Sequence, residues 1–146
     1  MIDPLAAVMS RVASDADLNL LTGGRIAAKH KYALPATDST RWPTPSKALV
    51  LSYGSGSDVD RDTGRQLPRI DARCYGESEY EAGRVYRAVI AITRRDDRVT
   101  AVTGDGTALI YWLLADGPPS IAFDVDVQLD MVLVALVAAV AEDPIT

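Results

Sequence analysis

IDARCYGESEYEAGRVYRAVIAITR, residues 70–94, decides the fold. Ile70, Ala72 and Cys74 alternate with Asp71 and Arg73, the period of a strand with one face in a core and the other toward water. Gly76 ends the strand. Ser78 then stands three residues before Glu81, the spacing of a capping box. Ala82, Val85, Tyr86, Val89 and Ile92 or Thr93 recur at helical spacing. Arg84, Arg87, Arg94 and Arg95 lie at or toward the C-terminal half, where the helix dipole favours cations. The stretch therefore predicts a half-buried strand running straight into one amphipathic helix.

Outward from that junction the pattern stays mixed. Asp3–Pro4 opens a helix with an N-cap acceptor and a proline at the first helical position, and Leu5, Val8, Met9 and Val12 form its stripe. Asp15 or Asp17 caps a further turn, which Gly23–Gly24 stops. Arg25–Ala28 reads as a short extended piece and residues 36–45 as a surface loop pinned by Trp42. KALVLSY, residues 47–53, is a strand. The polar connection 54–67 is long for a hairpin and predicts a flexible arm.

Arg98–Thr103 predicts a short strand and Gly104–Asp105–Gly106 a turn. Thr107–Leu114 is rich in β-formers, and Asp116–Gly117–Pro118–Pro119 is expected to end it. Ala122–Leu129 alternates again and is expected to pair antiparallel with Thr107–Leu114. Met131–Ala141 is almost wholly apolar, and its periodicity leaves strand and helix both open. The sum is one α+β domain over 1–146: a mixed or antiparallel sheet of four to five strands, packed by an N-terminal and a central helix.

With 146 residues and 48% hydrophobic content the chain has enough interior for a core, and its net charge of −5 disfavours free DNA or anionic membrane as partner. Eleven apolar residues at 131–141 are too few to span a bilayer as a helix. No basic leader precedes an apolar run, so no signal peptide is expected. Cys74 is the single cysteine, which rules out an intrachain disulfide. Its place in the apolar register predicts a small buried hydrophobe.

The chemistry-bearing residues do not assemble into a catalytic pattern. Asp58, Asp60 and Asp62 suggest a calcium loop, but an EF-hand register from Asp58 demands glycine at Thr63 and a carboxylate at Arg69. Tyr53–Ser57 follows a strand as a phosphate loop does, yet no Lys-Ser/Thr pair follows it. His30, the single histidine, has neither a nucleophile elbow nor zinc-ligand spacing to work with and reads as a surface residue between two lysines. Asp96–Asp97 are adjacent, and Asp124 and Asp126 fall on one expected strand face. No basic or histidine partner accompanies either pair in sequence, so a solvated or intersubunit polar face is the plainer reading. Arg69 and Arg73 flank Asp71 on the outward face of their strand and predict a salt-bridge row. Trp112 predicts core or a subunit interface. No cofactor, metal or enzymatic activity is expected.

The ordered set of features resembles the tail terminator (minor tail, tail-completion) proteins of long-tailed siphophages. It rests on Gly24–Arg25–Ile26, the strand Ile70–Tyr75 with Gly76, Glu81–Ala82 at the start of the helix, and the late β pair. The resemblance implies a homohexameric ring on the head-proximal end of the tail tube. There it would meet the major tail tube protein on one face and the head–tail stopper or connector on the other. It implies a virion location after assembly in the host cytoplasm, with DNA passing through the lumen and no membrane or sequence-specific DNA contact. Ile26, Ile70, Cys74, Gly76, Ala82, Val85, Tyr86 and Val89 would be scaffold. Asp58, Asp60, Asp62, Arg69, Arg73, Trp112, Asp124 and Asp126 would be interface candidates. Two other readings stay open: a head–tail connector or stopper component, and a small metal- or ligand-binding domain using the Asp-rich segments.

Overall fold

The computed structural model describes residues 3–44, 46–54, 58–59, 65–95, 99–104 and 106–142. Helices α1 (Pro4–Ala13) and α2 (Ala16–Thr22) come first, then strand β1 (Ile26–Ala27), a 3-10 turn at Lys31–Ala33 and β2 (Ala48–Tyr53). Next are β3 (Asp58–Val59), β4 (Gln66–Leu67), β5 (Arg69–Gly76), α3 (Glu79–Thr93), β6 (Val99–Thr103), β7 (Gly106–Asp124) and β8 (Leu129–Glu142). The fold is α+β, and the described residues form one eight-stranded mixed sheet and three helices, more strands than the four to five expected. β1 runs parallel to β2, and every other pairing is antiparallel.

The strand–helix junction forms for the reasons its sequence gives. Ile70, Ala72 and Cys74 are fully buried beneath the helices. Ser78 Oγ accepts the Glu81 backbone N–H at 3.2 Å and caps α3. The Glu81 side chain, however, turns to Lys47 at 3.5 Å and Arg84 at 3.3 Å. Gly76 is required by close approach, since a Cβ there would lie 2.3 Å from the Ala82 backbone nitrogen. Ala82, Val85, Val89 and Ile92 bury the inner face of α3, while Tyr86 packs at its margin.

The other two helices are tied down by polar contacts at their ends. Asp3 caps α1 through Leu5 N, and the Tyr53 hydroxyl at the end of β2 meets both Asp3 and that same N–H. Burial and the Asp3 carboxylate push the Tyr53 hydroxyl up to about 12. Asp15 is buried, caps α2 through Leu18 N at 2.9 Å, and pairs with Arg95 at 2.8 Å. That one carboxylate links α2 to the far end of α3.

Met131–Ala141 is strand, the middle of β8. It pairs with β5 along one edge and β7 along the other, so it sits inside the sheet, where a near-continuous apolar run belongs. Val132, Val134, Leu136 and Ala138 are buried toward the helices, and Met131, Leu133, Ala135 and Val137 are half-buried on the opposite face.

Two expectations fail around β7. The Asp116–Pro119 segment does not end the strand. β7 continues to Asp124 through a bulge in which four steps from Asp116 to Ser120 match two from Ala135 to Leu133. Thr107–Leu114 and Ala122–Asp124 are therefore one strand, and both pair with β8 rather than with each other. The prolines are tolerated because no described strand takes hydrogen bonds from that edge. The alternation at Phe123–Leu129 is also not one strand. Val125–Gln128 form the turn between β7 and β8, with Gln128 at φ 56° and its side chain bonded to Val125 O at 2.7 Å.

Asp58–Val59 and Gln66–Leu67 pair as a short ladder at the base of the 54–67 connection. Asp60 and Asp62 lie outside the described residues, as do Asp96 and Asp97.

Candidate interaction surface

The two faces of the sheet are covered unequally. The inner face holds the main core between β2, β5, β8 and the helices. The outer face carries a second, smaller core of Ala48, Val50, Tyr75, Val127 and Leu129, closed by Tyr32, Trp42 and Met131. Residues 28–44 supply Tyr32 and Trp42 of that cover, and β8 supplies Met131.

His30 lies inside this second core, not on the surface. It is 6% exposed and sits edge-on to Trp42 and Tyr75, with ring centroids 4.8 and 4.6 Å away. Burial lowers its proton affinity, Asp124 works the other way, and Arg25 reinforces the lowering. The aromatic residues at 32, 42 and 75 were the sequence signal for this burial, and the flanking lysines masked it.

Asp124 and Asp126 do come together, though not as two positions on one strand. Asp124 ends β7 and Asp126 is in the turn, whose N–H donates to Asp124 Oδ1 at 3.0 Å. The Tyr75 hydroxyl donates to Asp124 Oδ2 at 2.9 Å. Burial and this carboxylate raise the Tyr75 pKa, so the phenol keeps its proton. A pocket of about 460 Å³ opens beside them, and its lining also includes the cationic side chains Lys29 and Arg73.

The remaining candidates are dispersed. Arg69 forms an ion pair with Asp116 across β8, and Arg73 donates to Ser52 at 3.2 Å. Asp71 shares their outward register, with its carboxylate against Gly54. Asp58 stands in β3. Ile26 begins β1 and packs on the margin of the main core. Cys74 is fully buried, and burial pushes its thiol up to about 12, so it is no thiolate at neutral pH. Among the described residues no three metal-ligating side chains cluster, and no helix is long and apolar enough to cross a membrane.

The feature that sequence reasoning missed is the far half of β7. Ile121 is 65% exposed, Phe123 52% and Val125 68%, with Leu114 at 49% and Trp112 at 39% nearer the base. Among the described residues β6 accompanies β7 only from Gly106 to Ile110, so no described strand other than β8 lies along Trp112–Asp124. α3 packs on β5 and β8, and its C-terminal end lies beside Tyr111–Leu114 of β7. An apolar, unpaired strand edge of this kind marks a contact surface or an aggregation hazard.

No family model matches the chain, and no curated protein matches it. Among solved structures, it is similar to a chain titled as the virion of a native gene transfer agent particle. The TM-score is 0.62 at 14% identity, over 93% of this chain and 92% of that one. At that identity the likeness establishes a shared fold, and it extends across nearly the full length of both chains.

Proposed function

We propose that this chain is a virion structural protein of the tail-terminator type. Six copies form a ring on the head-proximal end of the tail tube, stop its polymerisation, and present a second face to the head connector. The likeness to a chain of a gene transfer agent virion, spanning more than nine-tenths of both chains, is the observation that carries the virion reading. The terminator reading adds the sequence resemblance through Gly24–Arg25–Ile26, Ile70–Gly76 and Glu81–Ala82.

The β7–β8 hairpin is the surface this role needs. Ile121, Phe123 and Val125 present apolar area to a neighbour, and the β7 edge that no second described strand occupies offers backbone hydrogen bonds. Arg69, Asp71, Arg73 and Asp116 set register and orientation at such a contact more than they add affinity. Ile70, Cys74, Gly76, Ala82, Val85 and Val89 form the rigid scaffold behind these surfaces.

Electron microscopy of the protein mixed with tubes of the major tail protein from the same genome tests this reading. Rings at one end of each tube, with tube length frozen on addition, are the expected result. Bare ends on tubes that keep growing would transfer the role to a connector or stopper. Binding to neither tube nor connector would remove the chain from the virion.

A further inference from the structure

His30 is more than nine-tenths buried, and its Nε2 has no hydrogen-bond partner among the described residues. Nδ1 accepts the Tyr32 backbone N–H at 3.2 Å, so the neutral ring carries its proton on Nε2. That N–H is enclosed near the edge-on rings of Trp42 and Tyr75, where an aromatic face offers only weak compensation. The ring is held by shape and by a single accepted hydrogen bond, and that bond exists only while Nδ1 is unprotonated.

We propose that His30 is a proton-operated clasp on residues 28–44. Neutral, it fixes this segment over the outer face of the sheet. Protonated, it releases the segment and bares the apolar patch of Val50, Tyr75, Val127 and Leu129 beside the β7–β8 turn.

The chemistry follows from which nitrogen is available. A second proton enters at Nδ1, the atom that now accepts from Tyr32, so an accepting contact becomes two donors facing each other. A charge is placed at the same moment in a site walled by two aromatic rings, where desolvation opposes it. The surrounding charges do not reverse this. Lys29 and Lys31 flank the ring in sequence, Arg25 precedes it before β1, and Arg73 enters from β5. Arg41 lies over the Tyr32 ring, with its guanidinium carbon 4.3 Å from the centroid. Against these stand Asp124, already engaged by the Tyr75 hydroxyl, and Asp126 beside it in the turn. Asp38 is occupied with Thr40 at the surface. Because the docked ring holds a proton less readily than a released one, falling pH favours release.

The test is amide hydrogen exchange of the whole chain at pH 8 and pH 5, corrected for intrinsic rates, beside an NMR titration of the single imidazole. Protection at Tyr32 and its neighbours in 28–44 is expected to fall by up to about tenfold per pH unit between the ordinary histidine value and the lowered value of the docked ring, and to level off below it, while β5 amides keep theirs. His30→Asn places an amide oxygen where Nδ1 stands and does not titrate, so its 28–44 protection is expected to be the same at both pH values. A Trp112→Phe variant leaves Trp42 as the single tryptophan, and its fluorescence is expected to change with the same midpoint as the imidazole. An imidazole titrating at or above the ordinary histidine value would overturn the proposal. So would pH-independent protection of 28–44, or parallel loss of protection in β5. If His30→Asn does not fold, the exchange and titration of the unmodified chain decide the matter alone.

Discussion

β5 and the far half of β7 are both strands of one sheet, and they are built for opposite surroundings. β5 is paired on both edges, buries Ile70, Ala72 and Cys74, and closes onto α3 at a glycine with no room for a methyl group. β7 beyond Trp112 is paired along β8 alone among the described residues, and it exposes Ile121 and Phe123. The first region carries the stability of the monomer. The second spends apolar side chains where the monomer gains little from them, which is the pattern of a surface completed by another chain.

Substitutions should separate the two regions. Gly76→Ala drives a Cβ into the first turn of α3 and is expected to cost about 3 kcal/mol, as overpacking of a tight contact does. Urea unfolding measures it, and a loss below about 0.5 kcal/mol would mean the junction is not rigid. Ser78→Ala removes the α3 cap and is expected to cost about 1 kcal/mol by the same measurement.

A pH-dependent contribution comes next. Burial depresses the folded-state proton affinity of His30 below the ordinary 6.5, so the unfolded chain binds the proton more readily. This contribution is fully present above pH 6.5 and is lost as pH falls toward the lowered folded value. The difference in unfolding free energy between pH 8 and pH 5 should shrink in His30→Asn, and an unchanged difference would assign the pH dependence to other groups. Last in size is the paired change Ile121→Ser and Phe123→Ser. Monomer stability is expected to move by less than about 0.5 kcal/mol, because neither side chain is buried.

The legible parts of the sequence were those in which local chemistry and tertiary burial agree. Strand β5, the Ser78 cap, the α3 stripe, and the Asp3–Pro4 start of α1 all combine a capping or alternating pattern with a core on the matching face. Reading failed where a partner distant in sequence decides the outcome. Pro118 and Pro119 look like a strand end, but β8 pairs with β7 on both sides of them and the prolines fall in a bulge. Val125 and Val127 continue an alternation that the Asp124 and Gln128 side chains fold into a turn. Two lysines beside His30 imply a wet site, whereas Trp42 and Tyr75 come from other segments to enclose it. Of the proposed interaction surface, sequence indicated Arg69, Arg73 and Trp112. The exposure of Ile121 and Phe123 depends on which distant elements cover that part of the sheet, and no local pattern encodes that.

The most direct measurement is tube capping by the Ile121→Ser, Phe123→Ser chain beside the unmodified chain, scored by electron microscopy on tubes of the cognate major tail protein. The account predicts a folded, soluble variant that leaves tube ends bare at concentrations where the unmodified chain caps them with rings. Equal capping by both chains would contradict it and return the β7–β8 hairpin to ordinary surface.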